Sequence, residues 1–565
     1  MEKKLQLRAI ATTAFLIMIL TGFFNFSSGE GSRQLQPVPE SKTKLIVGND
    51  RVPNYATYTS DSANRLYIHI SKVTEKIYLG FGKVFYDNDG LLEVPDLYYR
   101  IKAPNGNIIV PGTKVPKTGK GFIATSATAV GPIGLSGSAV GYDPIVVENL
   151  AVTGDYYLEF SKTNTDVFET PSSLPRAIFE DFDITVGDGT TAKPGRLWSY
   201  RWHLIAQGSE VETQASFFVY TKDSEVTNLN LNRMQPYSFA IVSNQMGSST
   251  SKNFQESRKS SNGRSDYPEY KIFLNDPDHN AFPSYKSSIA VSSVKNNGFV
   301  EKGYCLEVKY NSMKEVMAEL LLDFDSDGIR DIEDRVLTHL LYNGSSCISW
   351  DGKNGAGTAV PLGLDFKIQA QILTGLTNLP IFDPENNAQG LVVSLVRPQE
   401  DGSQVLSDNL RAAPLEIFWD DSQVGGTSNF EGCLAMAAQS CHLWRNSFGN
   451  DKTMNTWWEV STTTKIFTVR FDNALSTNTP NGAPNIDFNA EIAPNPMNDQ
   501  STFKISGDPG VVYLEILNAN GNIVYRQKNY NINDEVDAPA IRESGVYIIR
   551  LSNDRINKAL KLIKM

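Results

Sequence analysis

Apolar residues in this chain come in short runs that alternate with polar residues or are rich in β-branched and aromatic types, and turn residues bound them. In the first third these runs are 65–70, 76–81, 97–101, 107–110, 145–147 and 156–160. Many stand roughly 10 to 20 residues apart, the signature of β-sandwiches. Pro104-Asn105-Gly106 carries the Asn-Gly signal of a tight hairpin, so the runs on either side of it should pair. The pattern continues through 197–205, 215–220, 237–242 and 465–471. Helix is expected only at 312–320 and 331–341, and the Ser/Asn/Lys-rich stretch 243–265 reads as a mobile surface loop. The expected fold is therefore mainly β, with several β-sandwich domains in series and a small β-sandwich at the C-terminus.

The expected divisions are a leader at 1–28, a linker at 29–43, a β-sandwich at 44–183 and a second β domain at 184–297. A β domain with an acidic loop follows at 298–424, then a cysteine-loop and Trp segment at 425–475, a tether at 476–492 and a terminal β module at 493–565. With 565 residues, 41% of them hydrophobic, the chain can support three or four cores. Its net charge of -11 argues against a nucleic-acid partner, since phosphate binding needs concentrated Lys and Arg.

Glu2-Lys3-Lys4 and Arg8 precede a mainly apolar stretch at 9–26, and Ser27-Ser28-Gly29 supplies small residues for cleavage. That is the layout of a secretory signal peptide. An exported chain meets an oxidising compartment, where an even number of cysteines usually forms disulfides. The four here, Cys305, Cys347, Cys433 and Cys441, allow three pairings; local spacing favours Cys433 with Cys441 and Cys305 with Cys347. Zinc, with His442 beside Cys441, is disfavoured because no C-x-x-C pair exists.

The acidic loop has metal-binding spacing. Asp323, Asp325, Asp327, Asp331 and Asp334 fall at positions 1, 3, 5, 9 and 12 of a twelve-residue stretch, with Gly328 at position 6 and the Ile329 carbonyl at 7. A hard cation such as Ca2+ needs several oxygens around one point, and alternate Asp residues on a turning loop can supply them. Asp334 stands where such loops usually carry Glu, and the usual pair of flanking helices is absent or short.

The last segment reads Ala493-Pro494-Asn495-Pro496, alternating runs at 501–505, 512–517 and 523–525, a turn at Asn520-Gly521-Asn522, then Gly545-Val546-Tyr547 before a final apolar strand and a Lys-rich end. It resembles the type A C-terminal sorting domain of proteins exported by the type IX secretion system. The resemblance implies partnership with that machinery, passage across the outer membrane, and residence at the cell surface or outside the cell. The sequence 320–323 running into the acidic loop, Trp350-Asp351-Gly352, Phe418-Trp419-Asp420-Asp421, Cys441-His442-Leu443-Trp444 and Trp457-Trp458 are in turn similar to a module of large gliding-associated surface adhesins. This implies a surface glycan or protein as ligand, or self-assembly into a larger surface complex.

Signatures of catalysis are missing from the sequence: no H-E-x-x-H, no G-x-S-x-G and no complete phosphate loop. Paired acids occur at Glu180-Asp181-Phe182-Asp183, Asp276-Pro277-Asp278 and Asp420-Asp421. They leave open a secreted carbohydrate-active enzyme with β accessory domains, which would need two carboxylates across one cleft. The leading expectation is a non-enzymatic, calcium-stabilised β-rich adhesin or surface filament component. Trp350 reads as a core residue beside a turn, and at most one of Trp457 and Trp458 could face a sugar, because neighbours on a strand point to opposite sides.

Overall fold

The computed structural model describes residues 29–86, 92–94, 96–165, 174–206, 211–249, 254–284, 291–300, 303–310, 316–327, 333–341, 344–398, 413–435 and 439–472, and, towards the C-terminus, 489–493, 502–506, 512–518, 523–530, 545–552 and 557–564. The leader at 1–28 lies outside them. The described residues divide into two compact units, one drawn from within 1–288 and 373–462, the other from within 289–372 and 463–565.

The first unit is built on two ten-stranded sheets and one three-stranded sheet. One large sheet runs Ser428–Leu434, Glu416–Asp420, Lys452–Trp458, Thr377–Phe382, Ser238–Val242, Arg201–Ile205, Lys44–Val47, Ala177–Phe179, Val84–Phe85. The other runs from Ala413–Pro414 and Val392–Arg397 through Val226–Asn230, Ser216–Tyr220, Lys271–Phe273, Leu197–Ser199, Leu66–Ile70 and Gly154–Ser161 to Tyr98–Lys102 and Ile108–Lys114. A single apolar cluster draws on all three sheets, including Leu45, Ile241 and Met454 from the first, Ile68, Phe160 and Phe217 from the second, and Leu79 and Ile184 from the third. Burial of apolar side chains between sheets is what makes a sandwich stable.

Local pairing follows the turn chemistry. Tyr98–Lys102 and Ile108–Lys114 form the hairpin expected from Asn105-Gly106, with Gly106 at φ +85°, where a β-carbon would be strained. The domain boundaries do not follow. Phe182–Gly187 pairs along its length with Lys76–Phe81, so the division expected at 183/184 cuts through a strand. The segment 425–475 contributes Ser428–Leu434 and Lys452–Trp458 to the large sheet of the first unit. Sheet neighbours are chosen by which apolar faces fit together, and that choice is invisible to a scan for turns.

The linker expected at 29–43 is likewise structural. Glu30 and Leu35 are fully buried, a one-turn helix spans Ser32–Leu35, and Lys44–Val47 enters the large sheet directly afterwards. Much of 243–265 is also tied down: Asn244 Nδ2 donates to the carbonyls of Gly247 and Tyr267, and Ser261–Asn262 pairs with Lys452–Trp458.

In the second unit, Val291–Val300, Gly303–Tyr310 and Gly344–Trp350 form one sheet and Arg335–Leu341, Val316–Asp323, Asp365–Thr374 and Ser461–Arg470 another. The helices expected at 312–320 and 331–341 are instead the antiparallel strands Val316–Asp323 and Arg335–Leu341. Their Met, Glu, Ala and Leu residues favour helix only weakly, and packing in the sheet overrides that preference. Trp350 is a core residue, its ring within 5.9 Å of Tyr304, Phe324, Phe366 and Phe471 and its indole N–H donating to the Lys353 carbonyl at 2.8 Å.

Candidate functional site

The hairpin Val316–Asp323 and Arg335–Leu341 sets the acidic loop. Leu322 opposite Arg335 brings both ends of the loop together, so Asp323 and Asp334 begin and close it. The Phe324 N–H donates to Asp334 Oδ1 at 3.2 Å, the Ser326 N–H to Asp323 Oδ1 at 2.6 Å and the Asp327 N–H to Asp325 Oδ1 at 3.1 Å. Ser326, at φ +65°, turns the chain back, and Lys367 Nζ braces the turn by donating to its carbonyl at 2.7 Å. One carboxylate oxygen from each of Asp323, Asp325 and Asp327 lies within 4.8 Å of the others, a donor set whose chemistry suits a hard cation. Ile329 and Asp331 lie outside the described residues. Strands flank the loop where an EF-hand would have helices.

The structure joins Cys305 to Cys347, with Cα atoms 5.3 Å apart, and Cys433 to Cys441, with Cα atoms 5.7 Å apart. Cys305 and Cys347 sit on the paired strands Gly303–Tyr310 and Gly344–Trp350. The second bridge leaves Cys441 no role as a zinc ligand.

Two of the acid pairs are taken up by structural partners, and the third, Asp181 and Asp183, is buried with one carboxylate oxygen of each left without a hydrogen-bond partner. Arg397 Nε donates to Asp276 Oδ1 at 2.9 Å, and Arg196 Nη2 to Asp278 Oδ2 at 3.0 Å. Asp420 Oδ1 accepts the Ser422 N–H and the Ser428 hydroxyl, while Asp421 lies between the Ser260 hydroxyl at 2.6 Å and His442 Nε2 at 3.1 Å. Burial pushes Asp181 up to about 6 and Asp183 to about 7, against hydrogen bonds from Ser126 to the one and from Tyr142 and Thr185 to the other. Trp457 and Trp458 are both buried, so neither presents the open ring face a sugar would need. Beside them lies a small cluster whose assembly the sequence did not announce, in which His442 stacks on Trp419 at 4.9 Å and places Nδ1 2.6 Å from Thr456 Oγ1. A cavity of about 140 Å³ opens near Lys83, Glu93 and Lys117, with Glu93 already paired to Lys117 at 3.0 Å.

At the C-terminus, Asn489–Ala493 pairs antiparallel with Thr502–Ser506. A second sheet orders Ile523–Tyr530, Val512–Asn518, Gly545–Ser552 and Asn557–Lys564. Alternation divides its faces: Leu514, Ile516, Tyr547 and Ile549 are buried, whereas Glu515 reaches Arg526 at 2.9 Å and Arg550 at 3.7 Å on the other side. The Pro494 to Pro496 opening and the Asn520-Gly521 turn lie outside the described residues.

Residues 491–565 match the family model of the secretion system C-terminal sorting domain. No curated protein matches the chain. Among solved structures, dimeric latent PorU from Porphyromonas gingivalis shares 12% identity over 53% of this chain and 36% of its own, with a TM-score of 0.12. PorZ, an essential surface component of the type IX secretion system of the same bacterium, shares 10% identity over 68% of this chain and 55% of its own, also with a TM-score of 0.12. The chain thus spans well under two thirds of either, and superposition this poor supports no argument about fold or activity. The terminal match stands by itself: this chain carries a C-terminal sorting domain of the type IX secretion system, which engages that machinery and directs export to the cell surface or the extracellular space.

Proposed function

We propose that the exported portion is a non-catalytic, calcium-stabilised β-rich surface protein that serves as an adhesin or as a component of a surface filament. The observation that carries this reading is the sorting domain joined to β units whose acid pairs are held by arginine, serine, histidine and tyrosine partners. Asp276, Asp278, Asp420 and Asp421, so engaged, are poorly placed to protonate a leaving group or activate water, and Asp181 and Asp183 are buried away from solvent and substrate. Calcium belongs to the reading because Asp323, Asp325 and Asp327 converge and a cation would relieve their repulsion; saturated by oxygen ligands, it would brace the loop rather than activate water. Cells lacking this chain should attach less well to surfaces or to one another, and purified protein added back should restore attachment in calcium but not in chelator. Unchanged attachment, together with hydrolysis of a polysaccharide by the purified protein, would replace the adhesin with the enzyme.

A further inference from the structure

The first described residues enter the first unit as a buried strand-like segment. The Glu30 side chain is fully buried and accepts the N–H groups of Gly195 at 2.7 Å, Arg196 at 3.0 Å and Leu197 at 3.2 Å, with Asn275 Nδ2 at 3.2 Å. Its carbonyl accepts the Ile184 N–H, and its own N–H donates to Thr185 Oγ1 at 3.2 Å. Next to that nitrogen lies Asp183, also fully buried. Asp183 Oδ2 accepts the hydroxyls of Tyr142 at 2.6 Å and Thr185 at 2.8 Å, but Oδ1 has no hydrogen-bond partner. A side chain at position 29 would collide with that same Oδ1, so the orphaned oxygen faces the backbone immediately ahead of Glu30. An unpaired carboxylate oxygen in the interior is costly, and among the described residues the nearest polar group ahead of it is the single Glu30 N–H, already directed at Thr185 Oγ1.

We propose that the leader is cleaved between Gly29 and Glu30 and that the freed α-ammonium of Glu30 becomes the buried counter-ion of Asp183. Water hydrolyses the peptide bond in a reaction catalysed by a signal peptidase: the hydroxyl goes to the Gly29 carboxylate on the departing leader, and the nitrogen stays on Glu30 as the ammonium. Ser27 and Gly29 then stand at the third and first positions before the cut, the small-x-small pattern such peptidases read. The new terminus carries three donors where the amide had one, enough to keep the Thr185 contact and reach Asp183 Oδ1. The burial that raises the Asp183 carboxyl to about 7 in the uncut chain would then be offset by a neighbouring positive charge. Processing would complete the core of the first unit, so that the unit reaches full stability only after translocation. This inference rests on the leader at 1–28 and is independent of the adhesive role.

Mass analysis of protein recovered from the cell surface or medium should find a chain beginning at Glu30; any other start overturns the proposal. Two full-length chains, one beginning at Glu30 and one retaining Ser28-Gly29 ahead of it, should then be compared with and without Asp183→Asn. The substitution should lower Tm several degrees further in the Glu30 chain than in the extended one, whereas equal losses would reduce Asp183 to an ordinary buried acid. Should the substituted chain fail to fold, acylation of the α-amine in the unsubstituted Glu30 chain decides the matter. A paired, buried ammonium reacts on the order of a hundredfold more slowly in the folded than in the unfolded chain, while ready labelling of the folded chain refutes the pairing.

Discussion

Buried charge is the recurrent feature at the scale of single residues. Arg100 lies under the sheet with Nε 2.6 Å from Glu159 Oε2 and its guanidinium 3.6 Å from the centre of the Tyr58 ring, and Arg397 is fully enclosed by the carbonyls of Pro277 and Phe282 and the Ser284 hydroxyl. Such groups survive inside because each is paired and hydrogen-bonded. Carboxyls whose burial outweighs the help of their partners respond differently. Glu385 is held at about 7, first by burial and further by the nearby Asp383, against the Tyr237 N–H, which donates to it at 2.6 Å. In the unfolded chain it ionises near 4.5, so between 4.5 and 7 the unfolded state gives up its proton while the folded state keeps it. Stability should therefore fall as pH rises through that window and level off above it. Glu30 and Asp183 carry the same sign in the uncut chain. Glu385→Gln should flatten the decline in unfolding free energy measured from pH 4.5 to 7; a slope unchanged from the parent would mean that Glu385 titrates as an exposed acid does.

Elements here are held by short local devices. The acidic loop closes a two-stranded turn, and its three converged carboxylates repel one another when no cation is present. Calcium at a hundredfold its Kd should stabilise the fold by about 2.7 kcal/mol. Chelation should then lower the melting temperature of the second unit, and Asp325→Ala with Asp327→Ala should remove that sensitivity; a melt indifferent to chelator, with no calcium found by elemental analysis, leaves only an acidic turn. Disulfides act on the unfolded chain instead. Cys433 and Cys441 are 8 residues apart and Cys305 and Cys347 are 42 apart. Loop-closure entropy assigns about 2.5 kcal/mol to the shorter loop and about 4 kcal/mol to the longer. Replacing each pair by serine should reproduce that order in denaturant titrations, and intact mass without reductant should reveal no free thiol. A costlier loss from the short loop would show that packing around Cys433 and Cys441, rather than chain entropy, dominates there.

On the scale of the whole molecule, the chain is interleaved rather than serial. It leaves the first unit after 288, returns at 373 and leaves again after 462. The first unit therefore cannot close its large sheet until Thr377–Phe382 and Lys452–Trp458 have been made, which raises its contact order and should slow its folding. The terminal module stands differently, since among the described residues its sheets pair within 489–564. Deleting 493–565 should trap the remainder inside the outer membrane while leaving its cooperative melt intact. Normal surface appearance of the truncated protein, detected by protease shaving or antibody on whole cells, would contradict an export signal at the C-terminus.

Strand content, the hairpin at Asn105-Gly106, the core position of Trp350, the spacing of Asp323, Asp325 and Asp327 and the sorting domain were all legible in the residues, because each depends on neighbours a few positions away. Alternation marks the buried face of a strand, and a turn needs its own glycine. Partners distant in the chain were not legible. Nothing near Glu30 announces that its carboxylate will meet the backbone of Gly195, Arg196 and Leu197, nor that the supposed linker around it is core. The same holds for Trp458, whose indole donates to Thr227 at 3.3 Å, and for the strands at 316–323 and 335–341, whose composition leans towards helix. Those outcomes were decided by tertiary structure, since burying an apolar face or a charged group depends on what the rest of the chain brings to the other side.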